Sequence, residues 1–256
     1  MALREQLDPR VASRQPRTVS RDEAQNRLIV ALDVPGTEAA TELVNRLENT
    51  CRWFKVGLEL FIAAGPGVVD MLTSRGYSVF LDLKLHDIPN TVAGAVRSAA
   101  SLGARMMTIH ASGGPAMLAA AHGAVAAMTN PPELLAVTVL TSMDADQLRT
   151  TGMDRSPEDQ VMVLAKMGIE AGFRGFVCSP REVAALRSLT GPEGVLVIPG
   201  IRPANASAGD QKRTATPAEA LRQGASFLVV GRPITQAANP ALAADAILRE
   251  MSEGHD

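Results

Sequence analysis

Eight short apolar segments, each followed by a stretch with helical periodicity, run through the sequence from residue 28 to residue 251. Their continuous apolar character is typical of parallel strands that are covered on both faces. We predict strands over residues 28–33, 52–57, 77–84, 105–111, 134–141, 175–179, 195–200 and 226–231. Eight β/α units in 256 residues predict a single-domain α/β protein with the TIM (β/α)8 barrel fold, which typically takes ~250 residues. A doubly wound open sheet is the alternative.

Charged residues at the ends of three successive predicted strands favour the barrel. Asp33 ends the first strand, Lys55 lies near the end of the second, and Lys84 ends the third. A closed barrel brings the carboxyl ends of all its strands to one face, whereas an open sheet collects ligands at a switch point. We therefore expect these side chains to meet at one face of the barrel.

The third strand carries the densest group of charges, in the pattern Asp82-x-Lys84-x-x-Asp87. Strand side chains alternate between faces, so Asp82 and Lys84 are predicted to point the same way and Leu81 and Leu83 the other way. Buried charges must be paired or used, because each is costly to desolvate. A structural salt bridge at a strand end is the simpler interpretation. The recurrence of charges on neighbouring strands favours an active site instead.

Two local expectations concern packing. Trp53 and Phe80 are predicted to fill the barrel interior, and one long helix is predicted over residues 58–74. His110, at the end of the fourth strand, is most simply a core histidine, and we assign no chemistry to His86. The His, Cys and carboxylate residues show no spacing typical of a metal site, so we expect none.

Composition excludes several classes of function. The net charge is −2 and aromatic residues make up 3%, which argues against nucleic-acid binding and against an anionic membrane surface. No apolar run approaches the roughly 18 residues of a membrane span. Cys51 and Cys178 are far apart in the chain, as expected of a protein from a reducing compartment, and we expect a cytoplasmic location.

The first 27 residues differ from the rest of the chain. They hold six Arg and four acidic residues and no apolar core segment, so they do not resemble a secretory signal. We expect residues 1–27 to be a flexible or loosely docked extension and residues 28–253 to form the barrel domain.

A phosphate-binding end is predicted after the last two strands. Gly231 and Arg232 directly follow the eighth strand, where TIM barrels commonly bind phosphate, and Arg232 offers a forked cationic donor. The loop after the seventh strand is long and polar and carries Arg202, Gln211 and Arg213, so we interpret it as a closing loop. The loop that starts at Thr141 could cover the far end of a ligand, or be a surface insertion.

The residues so far predict a barrel enzyme for a phosphorylated small molecule, without defining the reaction. One segment is more specific than the rest, Phe80-Leu-Asp-Leu-Lys-Leu-His-Asp-Ile-Pro-Asn-Thr-Val92. Seven shorter ones accompany it: Ala31-Leu-Asp33, Lys55-Val-Gly57, His110-Ala-Ser112, Val139-Leu-Thr-Ser142, Pro199-Gly-Ile-Arg-Pro203, Gly209-Asp-Gln211 and Gly231-Arg-Pro-Ile-Thr235. In these segments, and in their order, the sequence resembles the orotidine 5'-phosphate decarboxylase family over roughly residues 28–250.

The resemblance implies decarboxylation of orotidine 5'-monophosphate to uridine 5'-monophosphate without a cofactor or metal, in pyrimidine biosynthesis. It implies a homodimer with shared active sites. Asp82 and Lys84 would lie at the scissile carbon, with Lys84 as proton donor. The other implied substrate contacts are Asp33 and Lys55 to the ribose, Thr141 to the pyrimidine, Arg202 and Gln211 from the closing loop, and Gly231 and Arg232 to the phosphate. Asp87, Ile88 and Thr91 would reach the neighbouring subunit's site, where Asp87 would join Lys55, Asp82 and Lys84 as the catalytic residues.

Two alternatives remain at this point. A metal-dependent sugar-phosphate decarboxylase or aldolase of the same superfamily shares the Asp-x-Lys-x-x-Asp pattern. Such relatives tend to carry a Glu metal ligand at the end of the second strand, where this chain has Lys55. A non-catalytic phosphosugar-binding barrel would be expected to have lost Lys84 or Asp82, and this chain keeps both.

Overall fold

Eight parallel strands form a closed barrel in sequence order, in a computed structural model that describes residues 19–47, 49–203 and 213–252. The strands are β1 (Leu28–Ala31), β2 (Trp53–Gly57), β3 (Ser78–Leu85), β4 (Met106–His110), β5 (Glu133–Val137), β6 (Gly175–Val177), β7 (Val195–Ile198) and β8 (Phe227–Val230). Every strand pairs with its sequence neighbours, and β8 closes the ring on β1. The prediction of a single-domain (β/α)8 barrel is confirmed, and the open sheet is excluded.

Helices alternate with the strands around the barrel. They are α1 (Arg21–Arg27), α2 (Thr37–Leu47), α3 (Leu58–Ala64), α4 (Gly67–Ser74), α5 (Pro89–Ser101), α6 (Pro115–Val125), α7 (Ala145–Thr150), α8 (Pro157–Glu170), α9 (Val183–Thr190), α10 (Pro217–Arg222), α11 (Arg232–Thr235) and α12 (Pro240–Ser252). The prediction of one helix over residues 58–74 is wrong. Gly65 adopts a left-handed φ of 65° directly before Pro66, which divides the segment into α3 and α4.

Two apolar cores hold the barrel together. The inner core consists of buried side chains that point into the barrel: Ile29, Ala31, Phe80, Met106, Leu135, Val197 and Val229. Trp53 closes it on one side and meets Phe227 edge to face, with ring centroids 5.3 Å apart. The interior placement of Trp53 and Phe80 is therefore confirmed. A larger core lies between the strands and the helices, and Leu81 belongs to it while Phe80 points inward.

A helix precedes the first strand. Residues 21–27, predicted to belong to the extension, form α1, with Ser20 as its N-cap and Ala24 buried. The helix packs against α12, and Arg21 forms an ion pair with Asp245. Arg27 donates a hydrogen bond to the carbonyl of Ser226 at 3.0 Å. The segment directly before β1 is therefore a helix that contacts the barrel, and residues 1–18 lie outside the described residues. Within the described ranges, no helix is long and apolar enough to cross a membrane.

Candidate active site

A cavity of about 400 Å³ opens at the carboxyl ends of the strands. Residues from seven strands or the loops that follow them line it. Eight of the predicted site residues are among them: Asp33, Lys55, Asp82, Lys84, Thr141, Arg202, Gly231 and Arg232. The charged side chains at the strand ends therefore meet at one face of the barrel, as the sequence predicted.

Four charged side chains on one side of the cavity alternate in sign. The Lys55 ammonium lies 2.9 Å from an Asp33 carboxylate oxygen and 3.7 Å from Oδ2 of Asp82. Lys84 Nζ donates to both carboxylate oxygens of Asp82, at 2.9 Å each. We call Asp33, Lys55, Asp82 and Lys84 the charge array. Because opposite charges are adjacent throughout, each offsets the desolvation cost of its neighbour.

Asp82 is the most enclosed carboxylate of the array, at 8% exposure, next to Lys55 at 9%. Burial by itself would raise the pKa of Asp82, but the positive charges of Lys55 and Lys84 outweigh it. Hydrogen bonds from Lys84 and Thr108 act in the same direction, and the net result is a pKa below the ordinary value. Asp82 is therefore ionised across the neutral range.

Lys84 reaches the cavity through an irregular backbone. Its φ is 51°, and it is the only described residue other than glycine with a positive φ. From Leu81 to Leu85 the chain advances four positions, whereas the paired residues on β4, Met107 and Ile109, are two apart. The strand therefore bulges at Lys84. Simple alternation predicted the right face for Lys84 but not this conformation.

Thr108, on β4, is a site residue that the sequence reasoning missed. Its hydroxyl accepts a hydrogen bond from the Lys84 backbone N–H at 2.8 Å and donates to Oδ1 of Asp82 at 3.0 Å. The side chain is fully buried. The signal that could have indicated Thr108 is its hydroxyl, which stands among apolar residues of a barrel strand.

The part of the cavity that follows β7 and β8 is its cationic end. Arg202 follows β7, and Arg232 follows β8 at the start of α11, a short helix that the sequence reasoning did not predict. Burial and the nearby charge of Arg232 lower the pKa of Arg202. A Cβ built on Gly231 would lie 3.6 Å from the Asp33 carboxylate, so the turn after β8 lies beside the end of β1. Two converging guanidinium groups are suited to a phosphate.

A buried ion pair supports the wall of the cavity that follows β5. Arg213 forms the pair with Glu182, and both side chains are almost inaccessible to solvent. Arg213 also donates to the carbonyl of Leu140 at 3.0 Å, next to Thr141. Glu182 accepts hydrogen bonds from the backbone N–H and the hydroxyl of Ser179. The pair thus joins the connections after β5, β6 and β7. Ser179-x-x-Glu182 has the capping-box pattern that could have indicated it.

Three predicted site residues lie outside the cavity of their own barrel. Asp87, Ile88 and Thr91 are exposed, in the turn after β3 and the start of α5. The Asp87 carboxylate accepts a hydrogen bond from the backbone N–H of Ile88 at 2.6 Å. Gln211, the remaining predicted residue, lies outside the described residues.

The histidines stay at the edge of the site. The rings of His86 and His110 are 5.4 Å apart. Burial, with the nearby His86 and Lys84, lowers the pKa of His110. Among the residues the structure describes, no group of three or more His, Cys, Asp or Glu side chains could hold a metal ion.

The fold and the cavity together define a class: a (β/α)8-barrel enzyme whose pocket joins a lysine–carboxylate array to a pair of arginines. The profile of the orotidine 5'-phosphate decarboxylase / HUMPS family matches residues 26–247. The chain belongs to this family.

Individual relatives agree with the family match. The orotidine 5'-phosphate decarboxylase of Moorella thermoacetica is 54% identical over 234 residues, covering 89% of this chain and 93% of that protein. The one from a Nostoc species is 50% identical, covering 90% and 98%. The crystal structure of the Lactobacillus acidophilus orotidine 5'-phosphate decarboxylase superposes with a TM-score of 0.78 at 41% identity, covering 88% of this chain and 98% of that one.

Proposed function

We propose that this protein decarboxylates orotidine 5'-monophosphate to uridine 5'-monophosphate, without a cofactor, as a step of pyrimidine biosynthesis. The observation that carries the proposal is the charge array at the cavity of a member of this family, with Lys84 bound to Asp82 through both carboxylate oxygens at 2.9 Å. We also propose a cytoplasmic location, which suits the two free, buried cysteines, Cys51 and Cys178.

The chemistry follows from the groups in the array. When the bond from the pyrimidine ring to the carboxylate breaks, CO₂ leaves and the electron pair stays on the ring carbon, which has no adjacent carbonyl to delocalise it. Lys84 supplies a positive charge where this anion develops and then a proton from Nζ to the carbon. Asp82 offsets the charge of Lys84 and places a negative charge near the substrate carboxylate, a repulsion that ends as CO₂ departs.

The rest of the cavity supplies binding energy. In this proposal Asp33 and Lys55 hold the ribose hydroxyls and Thr141 contacts the pyrimidine. The phosphate binds to Gly231 and Arg232, with Arg202 and Gln211 closing over it. One contact of this kind contributes about 2–4 kcal/mol, whereas enzymes lower barriers by about 8–23 kcal/mol. Binding energy from the remote phosphate must therefore contribute to the chemical step.

We propose that the active enzyme is a homodimer in which each subunit completes the other's site. Asp87, Ile88 and Thr91 do not line their own cavity; α5 begins at Pro89, directly after Ile88, and contains Thr91. Ile88 is an apolar side chain that is 67% exposed, as expected of a residue that a partner subunit would cover. In a symmetric interface the same surface patch contacts itself, so each subunit would place its Asp87 in the active site of the other.

A turnover assay in excess chelator tests the proposed reaction. Loss of orotidine 5'-monophosphate absorbance and formation of uridine 5'-monophosphate are expected at an undiminished rate. Turnover that appears only when a divalent metal is added, or no turnover at all, would contradict the proposal; the alternative with a metal site is the sugar-phosphate decarboxylase or aldolase. The position of Lys55 speaks against that, because its ammonium lies where a metal ligand would be needed. Nucleotide binding with no turnover would point to a non-catalytic barrel.

Mixing two inactive variants tests the shared site. Asp87→Ala and Lys84→Ala proteins are each expected to be inactive. A heterodimer of the two keeps one site with both residues, so subunit exchange should restore activity to part of the wild-type level. If exchange is verified by tagged subunits and the mixture stays as inactive as its parents, the shared site is wrong.

A further inference from the structure

The backbone of Lys84 depends on one side chain from the neighbouring strand. Its left-handed φ of 51° is a conformation that non-glycine residues hold only when their surroundings require it. At the bulge of β3, the Lys84 N–H donates a hydrogen bond to the Thr108 hydroxyl at 2.8 Å. A buried N–H without a partner would be costly, so Thr108 stabilises the bulge itself.

The same hydroxyl orients the carboxylate that holds Lys84. A hydroxyl has one proton and can both accept and donate. Here it accepts from Lys84 and donates its proton to Oδ1 of Asp82 at 3.0 Å. Thr108 therefore touches both members of the pair, one through its backbone and the other through its side chain. As a β-branched residue it has restricted rotation, and it is fully buried, so the hydroxyl is held in one place.

We infer that Thr108 is a positioning residue for the proton donor, and that its hydroxyl sets the placement of Lys84 Nζ relative to Asp82. It does not line the cavity and so makes no contact with a ligand there. The inference rests on the proposed function, because positioning matters only if Lys84 acts in the chemical step. Removing the hydroxyl should change the rate of that step and leave ligand binding almost intact.

Thr108→Val tests the inference, because it keeps the shape of the side chain and removes the hydroxyl. We expect kcat to fall about 10- to 100-fold, since misplacement of a catalytic group by about 1 Å can cost about 100-fold. The dissociation constant for uridine 5'-monophosphate should change less than about threefold, and KM should not rise by more than that, since binding does not include the chemical step. Thr108→Ser keeps the hydroxyl and should retain kcat within about threefold.

Thr138→Val is the matched control. Thr138 is a buried threonine just after β5 whose hydroxyl donates to the carbonyl of Val177 at 3.0 Å, away from the charge array. It should leave kcat unchanged. If the wild-type enzyme is active and Thr108→Val has the same kcat as Thr138→Val, the inference is overturned. Absence of turnover in the wild type would instead overturn the proposed function.

A second pair of variants decides the matter if Thr108→Val does not fold. Thr108→Ser and Thr108→Ala differ mainly by the hydroxyl and leave similar space. The alanine variant is expected to have a kcat at least about tenfold below the serine variant, with equal affinity for uridine 5'-monophosphate. Equal kcat values for the two would contradict a positioning role.

Discussion

Asp82 and Glu182 are two buried carboxylates near strand ends, at 8% and 3% exposure, and their surroundings differ in kind. Glu182 is paired with Arg213 and accepts two further hydrogen bonds from Ser179, so its oxygens are occupied from within the protein. Asp82 is bound to Lys84, whose side chain is 31% exposed and lines the cavity. One pair closes on itself, and the other presents an ammonium group to a ligand.

The choice of cation agrees with this difference. The guanidinium of Arg213 offers several directed N–H donors in a planar fork, which suits a permanent joint between loops. The ammonium of Lys84 is compact and can release a proton. The strained φ also lies at Lys84, and strained backbone conformations cluster at functional sites. A buried ion pair therefore indicates chemistry only when one partner faces a cavity and carries a proton that it can give up.

The largest expected effect is a loss of kcat when the Asp82–Lys84 pair, but not the Glu182–Arg213 pair, loses its cation. Lys84→Ala should lower kcat by about 1,000-fold or more, because it removes both the proton donor and the positive charge at the developing anion. Folding, followed by circular dichroism, and binding of uridine 5'-monophosphate should be largely retained. Lys166→Ala, at an exposed position on α8, is the control. A Lys84→Ala enzyme that keeps more than about a tenth of the wild-type kcat, less than ~1.4 kcal/mol of barrier, would contradict the assignment.

The next effect should appear in stability. Arg213→Met leaves Glu182 buried without its partner, and we expect the free energy of unfolding to fall by about 3–5 kcal/mol. Denaturant unfolding measures this as a lower midpoint. Adding Glu182→Gln to the same chain should recover part of the loss. A decrease in the free energy of unfolding of less than about 1 kcal/mol would contradict a structural role for the Glu182–Arg213 pair.

The cationic end of the cavity provides a third, smaller effect. Arg232→Ala should weaken uridine 5'-monophosphate binding by about 10- to 100-fold, because charge-assisted hydrogen bonds contribute about 1.5–3 kcal/mol. Binding of uridine, which lacks the phosphate, should change little. Calorimetry on both ligands, with the exposed Arg222→Ala as control, makes the comparison. Equal losses for nucleotide and nucleoside would rule out a phosphate contact.

The smallest expected effect is on the free energy of unfolding at acid pH, where Asp82 of the charge array becomes protonated. The folded-state pKa of Asp82 is depressed below its ordinary value of 3.8. Its contribution is therefore fully present above pH ~4 and is lost as the pH falls through the folded-state pKa, by at most about 1.4 kcal/mol per pH unit. The stability difference between wild type and Asp82→Asn should be constant from pH 8 to 5 and shrink below pH ~4. A difference that shrinks between pH 7 and 5 would contradict this sign.

The sequence by itself determined the fold class and the face of the barrel on which the site lies. The apolar segments and the helical periodicity between them are local signals, and eight repeats leave few architectures. Charges such as Asp33 and Lys55 at the carboxyl ends of strands had to meet, because a closed barrel gathers those ends at one face. The roles assigned to these residues, including those of Asp87 and Gln211, remain predictions.

Tertiary structure alone decided how the charges are held. The bulge at Lys84 depends on Thr108, 24 residues away, and Glu182 finds Arg213 at a separation of 31 residues. Both pairings depend on neighbouring strands and on side chains that share no sequence pattern, so no local window contains them. The left-handed φ of Lys84 is likewise unfavourable locally and is maintained only because surrounding contacts outweigh its cost.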